Sequence, residues 1–312
     1  MSFFYDRDQN VSGSIPTSLG YAPSYGATVE FSADLSAYTT TDNYLHMMPK
    51  GLNHLQMKMN LPFENKKQED ARKILGYIES LNGTGHFLYT DPAEIYKPIR
   101  MFCENIENSF NEHDLHTVSV SLSSDQAASL LKWDTAYITG SNMKGEYSTG
   151  VAYSRFDVVR NIAANANNLY DSFYYVTGDI SAGENTAISN AKFTKEFFFQ
   201  PTYPAQISKE TSVVKTELPY SFTKRADFGM HANVLKSLKL DFKGISDNEA
   251  RCILHFLCGK QGYRKFQYKF PKIYEQDKLF FSNQWSHTFV YKNVNDISVT
   301  LIEDPLGARK VY

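Results

Sequence analysis

The sequence predicts a mainly β chain with flanking helices (α+β), organised as two related units. Three observations carry this. Leu55, Met57, Met59 and Leu61 alternate along one stretch, and Leu238, Leu240 and Phe242 do so along another. Period two over that length marks a half-buried strand. Each stretch runs into a segment of helical spacing, Ala71, Ile74, Leu75 and Ile78 in the first case and Ala250, Ile253, Leu254 and Leu257 in the second. The whole order then recurs at a fixed offset.

That offset is 179 positions. It carries Ala71-Arg72-Lys73-Ile74-Leu75 onto Ala250-Arg251-Cys252-Ile253-Leu254, Gly83 onto Gly262, Phe87 onto Phe266 and Phe102 onto Phe281. It also carries Val118, Val120 and Leu122 onto Ile297, Val299 and Leu301. Tyr96 and Tyr274 match after a one-residue adjustment. A constant register across turn glycines and alternating strands is the signature of an internal repeat.

In chain order, residues 1–26 are rich in Gly, Ser, Pro and Asn, without periodicity. Such an arm either frays or lies across a neighbour. Residues 27–63 supply strands, including 27–31 and 55–61. Helices follow at about 66–81 and 247–258. Ser246 with Glu249 fits a capping box, and Gly83, Gly85, Gly259 and Gly262 provide exits. Each helix is expected to show one apolar and one charged face, and so to cover a sheet. Return strands begin at Ile99 and Leu279, and alternating strands close the units at 116–122 and 297–303.

The middle, 127–215, departs from the repeat. Residues 127–133 read as a short helical or extended connection, 156–159 and 173–176 as strands, and 165–168 as a turn. Phe193-Thr194-Lys195-Glu196-Phe197-Phe198-Phe199 is strongly strand-prone and ends before Pro201. This region is either a β-rich insertion or the leading sheet of the second unit.

The bulk numbers exclude several classes. The 312 residues carry a formal net charge of −2, which gives no general attraction to a nucleic-acid backbone or an anionic membrane. No stretch is long and apolar enough for a membrane span, and the first residues contain no signal-peptide core. The odd count of 3 cysteines, Cys103, Cys252 and Cys258, argues against a fully paired disulfide framework.

No chemical signature stands out. There is no phosphate loop, zinc helix or nucleophile elbow. His113 and His116 lie beside Glu112 and Asp114, a polar turn before a strand more simply than a metal site. Glu104 and Glu107 join those acids without any fixed geometry, and Asp171, Asp179 and Glu184 flank turns. Lys236, Lys239, Arg251, Lys260, Arg264, Lys265 and Lys269 are scattered, and the aromatics of 263–281 suit sheet packing better than base stacking. With 21 tyrosines and 22 phenylalanines, the chain is better equipped for contact than for catalysis.

The repeated β–helix–β order, with Lys269-Phe270-Pro271, Trp285, the closing run Ile297-Ser298-Val299-Thr300-Leu301-Ile302-Glu303, and Gly262 after the helix, resembles the tail-tip proteins of long-tailed bacteriophages (siphophages). These include lambda-like minor tail proteins and baseplate tube proteins of the tail-tube fold, and the two-unit form is similar to the T5-like type. The resemblance covers 27–122 and 210–304. It implies an arm 1–26, a first tail-tube-type β-sandwich or barrel domain 27–126, a β-rich insertion or connecting region 127–209, and a second such domain 210–312.

The function implied is structural. Three chains would form a pseudo-sixfold ring around the DNA channel, adapting a hexameric tail tube to a trimeric hub in the tail tip or baseplate of the virion. Synthesis would be in the bacterial host cytoplasm. The implied partners are two further copies, the tail tube, the distal tail protein and the hub protein. During viral genome ejection DNA would cross the lumen without sequence-specific binding. The ring-forming strands would carry Leu55, Met57, Met59, Leu61, Leu238, Leu240 and Phe242. No catalytic residue, cofactor or metal is assigned. The alternative is a host-surface or carbohydrate-binding module on the virion, which needs an outward aromatic groove instead of a closed annulus.

Overall fold

The computed structural model describes residues 4–6, 21–39, 45–51, 54–91, 93–110, 114–124, 138–161, 172–185, 187–202, 206–211, 214–218, 222–226, 234–268 and 278–304. The chain opens with β1 (Phe4–Asp6), β2 (Thr28–Ala33) and the hairpin of β3 (Leu35–Thr39) and β4 (Leu45–Pro49). Then come β5 (Leu55–Lys67), α1 (Gln68–Ser80), β6 (His86–Tyr89), β7 (Ile99–Phe110) and β8 (Leu115–Ser124). The middle holds β9 (Met143–Glu146), β10 (Val158–Arg160), β11 (Phe173–Val176) and β12 (Phe193–Thr194). The second half has β13 (Gln206–Thr211), the hairpin of β14 (Val214–Leu218) and β15 (Phe222–Ala226), and β16 (Val234–Ile245). It closes with α2 (Asp247–Lys260), β17 (Phe266–Tyr268), β18 (Lys278–Phe281), β19 (Gln284–Tyr291) and β20 (Val294–Glu303).

The fold is mainly β with flanking helices, as the sequence predicts. One 12-stranded sheet runs β1-β6-β7-β8-β5-β2-β19-β20-β16-β13, with β18 also on β20 and β17 on β18. Its path is open; the strands do not close into a barrel. The β9–β12 strands form a separate small sheet.

The internal repeat extends to backbone geometry. Phe63 faces Val118 and Phe242 faces Ile297, each pair 179 positions from its counterpart. A register shift falls between Phe63 and Lys66 and again between Phe242 and Ile245. Left-handed backbone at Asn65, Asn82, Gly83 and Asp114 returns at Gly244, Gln261, Gly262 and Asn293. These are mostly Gly, Asn and Asp, the types that adopt αL at least cost. The leading strands match too, because Ala33 faces Leu55 as Thr211 faces Val234.

The sheet has one dry face. Leu55, Met57, Met59, Leu61 and Phe63 pack with Val118, Val120 and Leu122 under Ala71, Ile74, Tyr77 and Ile78 of α1. Leu238, Leu240 and Phe242 pack with Ile297, Val299 and Leu301 under α2 in the same way. The other face is polar and rich in hydroxyls. There Ser119 bonds Asn60 (2.9 Å), Ser298 bonds Asp241 (2.7 Å), and Lys58 pairs with Glu104 (3.0 Å).

Several expectations are corrected. The two helices are not alike: nine consecutive residues of α2, Ala250 to Cys258, are buried. Its outer side is covered by the small sheet, with Phe173 and Tyr175 against His255 and Tyr175 against Phe256. Gly259 lies within α2, and the helix ends instead at left-handed Gln261. Phe156 has φ +71° and Asp157 lies outside any strand, so the strand there is only Val158–Arg160. Beyond Thr194 the aromatic run pairs with no strand. Phe197 and Phe199 are core plugs, and Phe197 touches Phe242, Phe256, Phe266 and Tyr268. Large rings gain more from filling the space beside α2 than from an extra ladder. Residues 127–133 and 165–168 lie outside the described residues.

Candidate assembly site

The two repeats meet at a seam inside the large sheet. β2 belongs to the first repeat, lying against β5, and its other edge pairs with β19 of the second. Ser32 faces Gln284, Phe31 faces Trp285, Glu30 faces Ser286, Val29 faces His287 and Thr28 faces Thr288. Backbone bonds extend the seam at both ends, from Ala33 N–H to Asn283 (2.9 Å) and from Gly26 N–H to Phe289 (2.7 Å). Trp285 stacks on Phe31 with ring centroids 5.5 Å apart.

A buried polar chain pins the seam. The Tyr96 hydroxyl lies 2.6 Å from Nδ1 of His287, His287 Nε2 lies 3.0 Å from Oδ1 of Asn295, and the Asn295 amide donates to Asp247 (2.7 Å). Because Oδ1 only accepts, Nε2 carries the imidazole proton, Nδ1 accepts, and Tyr96 donates; the tautomer follows from the network. Burial pushes the His287 pKa down to about 4, so the ring is neutral at pH 7. Phe289 adds ring contacts to Tyr96 (6.2 Å) and His287 (4.4 Å).

Beside the seam is a cleft of ≈ 410 Å³ whose walls include Tyr25, Tyr89, Asp91, Phe289 and Tyr291. Asp91 accepts backbone N–H bonds from Ala93, Ile95 and Tyr96. Its burial nevertheless raises its pKa to about 6. All its short bonds hold the 91–96 turn, so its role is to place Tyr96.

The seven proposed ring-strand residues, Leu55, Met57, Met59, Leu61, Leu238, Leu240 and Phe242, are all buried in the core. Their strands are interior, β5 between β8 and β2, and β16 between β20 and β13. The unpaired edges lie elsewhere. Among the described residues β13 ends the sheet on one side and β1 on the other, β17 hangs on β18 alone, and β7 beyond Phe102 is free of β6, which reaches only Ile99 to Phe102.

The other candidates resolve into structural contacts. Arg251 is buried, with guanidinium bonds to Ala93 O (2.8 Å) and Asn248 (3.2 Å). Lys265 pairs with buried Asp304 (2.6 Å). Phe266, Tyr268, Phe280 and Phe281 are buried and closed to stacking. Asp179 accepts from Arg155 N–H, and Glu184 from Ser181 N–H and Lys192. His116 bonds Asn108 (3.2 Å), while His113, Glu112 and Asp171 lie outside the described residues. Cys103, Cys252 and Cys258 are free thiols, and burial pushes all three pKa values up. Among the described residues no group of side chains could hold a metal ion, and no helix is long and apolar enough to cross a membrane.

The sequence reading missed the seam itself. The signal available was Phe31 and Val29 alternating opposite the Trp285–His287 alternation, but two matching patterns do not reveal which strands adjoin.

No protein-family model matches the chain, and no curated protein matches it in sequence. Among solved structures it is similar to a chain in the tail of an empty GTA particle with C6 symmetry, at 13% identity and TM-score 0.30, over 42% of this chain and 96% of that one. It is also similar to the 43 kDa tail protein of prophage MuSo2 from Shewanella oneidensis, at 8% identity and TM-score 0.32, over 92% and 96% of the two chains. A tail protein from Neisseria meningitidis MC58 gives 8% identity and TM-score 0.32, over 91% and 93%. Superpositions this loose assign neither fold nor function.

Proposed function

We propose that this chain is a structural, non-enzymatic component of a bacteriophage tail, located in the virion at the tail tip or baseplate. Three copies form a pseudo-sixfold ring around the DNA channel. The ring adapts a hexameric tail tube to a trimeric hub, with the tube, the distal tail protein and the hub protein as neighbours. The repeats expected at 27–126 and 210–312 are its two tube-type domains, the second led by β13 from Gln206.

One observation carries the reading: two repeats of matching register share a single sheet through the β2–β19 seam. A unit that joins its own copy side by side within one chain has the geometry to join further copies. An open sheet with unpaired edges among the described residues also favours assembly, because closure removes edges that would otherwise aggregate.

The polar face supports the lumen assignment. Helices cover the dry face, so β5 and β16 present Lys58, Asn60, Lys239 and Asp241 to the channel. Mixed charge and hydroxyls let DNA pass without holding it. The small β9–β12 sheet, outside α2, meets the surrounding layer.

Electron microscopy of the purified assembly tests this. A three-chain ring with six similar domains and an axial channel is the expected result. A chain that remains a monomer inside its native particle would sink the proposal.

A further inference from the structure

We infer that the outer edge of β7, from Glu104 to Phe110, receives β13 of a second copy of this chain, in the register that β2 holds on β19. The inference rests on the ring reading and specifies its contact.

The internal seam is the template. Moving β19 back by 179 positions places Gln284–Thr288 on Asn105–Ser109. β13 takes the place of β2, because it pairs β16 as β2 pairs β5. The copy-to-copy register is then Asn105 with Glu210, Ile106 with Lys209, Glu107 with Ser208, Asn108 with Ile207 and Ser109 with Gln206. Among the described residues both strands end their part of the sheet, so both edges offer unpaired backbone groups to a partner.

Three features of the β7 edge look like a seam lacking its other half. Phe110 touches His116 (5.0 Å) yet is 68% exposed, whereas its counterpart Phe289 packs on His287 and also on Tyr96 of the other repeat. The His287–Asn295 pair recurs with the residues exchanged, as Asn108 bonded to His116. Yet Nε2 of His116 is shielded from water and has no hydrogen-bond partner among the described residues, while both nitrogens of His287 are bonded. Finally, a Cβ on Gly262 would collide with Ala33 across the seam, while the space around Gly83 is open. Thr211 of the second copy, the counterpart of Ala33, would arrive there.

The junction is head-to-tail: each copy offers a β13 edge and a β7 edge. Such contacts either close into rings or run on as filaments. The ring reading requires closure at three.

A cysteine pair tests the register. Glu107→Cys with Ser208→Cys is introduced into the full chain carrying Cys103→Ser, which removes a nearby thiol. Facing residues of an antiparallel pair have Cα atoms about 4.5–5.5 Å apart, within disulfide range. Within one chain the two sites are seven strands apart in the sheet, on the order of 30 Å, so any link formed joins copies. Oxidation should give reducible dimers and closed trimers on a non-reducing gel. The shifted pair Glu107→Cys with Gln206→Cys should link at least tenfold less. Phe110→Glu, at an exposed position, should leave the melting curve intact and weaken association at least tenfold.

If rings of three form while the two pairs link equally or not at all, or if Phe110→Glu associates normally, this contact is wrong and the ring reading survives. Chains that stay monomeric both alone and in the particle overturn both.

Discussion

The Tyr96 hydroxyl donates to Nδ1 of His287 across 2.6 Å, and the two residues lie 191 positions apart in different repeats. Both are buried, so neither can exchange this bond for water. Tyr96→Phe removes the donor and strands Nδ1. The expected loss is about 1–3 kcal/mol of unfolding free energy, the usual cost of an unsatisfied buried group. Urea denaturation of the purified chain measures it, and an unchanged midpoint would show that the seam does not depend on this bond.

Stability should fall in mild acid. Burial lowers the pKa of His255 and of His287 from 6.5 to about 4. A histidine with a depressed folded pKa contributes fully above its unfolded value, and the contribution is lost as pH falls from 6.5 through about 4. Each shift is worth roughly 3 kcal/mol. Asp91 acts in the opposite sense. Its pKa is raised from 3.8 to about 6, so its contribution is full below 3.8 and disappears as pH rises through about 6. Burial also raises the pKa of Asp157 and Glu249, which act with Asp91 and blunt the decline that the two histidines impose between pH 6.5 and 4. His255→Phe should flatten that slope in denaturant midpoints taken across the range, and Asp91→Asn should steepen it.

The helix starts differ at the cap. Ser246 caps α2, accepting from Glu249 N–H, whereas its counterpart Lys67 gives α1 no side-chain cap. Ser246→Ala should cost about 1 kcal/mol, and Lys67→Ser should add roughly 0.5–1 kcal/mol. Thermal melts of the two variants should move in opposite directions. Equal shifts would mean that cap chemistry is not what distinguishes the two ends.

Gly83 and Gly262 separate conformational strain from close approach. Both have positive φ, +69° and +80°, but only Gly262 would drive a Cβ into a neighbour, Ala33. Gly83→Ala should lose only the backbone penalty, about 1 kcal/mol in the isolated chain. Gly262→Ala should lose several times that, because β2 must move away from the turn. Paired denaturation curves decide it, and equal losses would mean that the turn simply shifts away from β2.

The exposed edge of β7 shows how far a sequence can be read. Phe110 and Phe289 sit at matching places in the repeat, and the constant offset of 179 was visible in the residues. Alternation at Leu55 to Leu61 and at Leu238 to Phe242 determined which side of each strand is dry, because successive side chains point to opposite faces. Ser246 located a helix start, and Gly262 its end, because capping and αL chemistry are local.

The tertiary structure decided what touches what. Residues 247–260 carry Cys252, Phe256 and Cys258 outside the expected apolar stripe, a pattern that fits a helix buried on all sides. Only the fold shows that Tyr175 is what covers it. Phe197 has the propensity of a strand residue, yet its ring contacts with Phe242, Phe256, Phe266 and Tyr268 make it a plug. The seam between β2 and β19 depends on which edges meet, and edge pairing uses backbone groups that every residue carries. Sequence patterns therefore specified the units and their dry faces. The choice of partner strand, and the contrast between Phe289 packed on Tyr96 across the seam and Phe110 left 68% exposed beside His116, came from contacts between residues far apart in the chain.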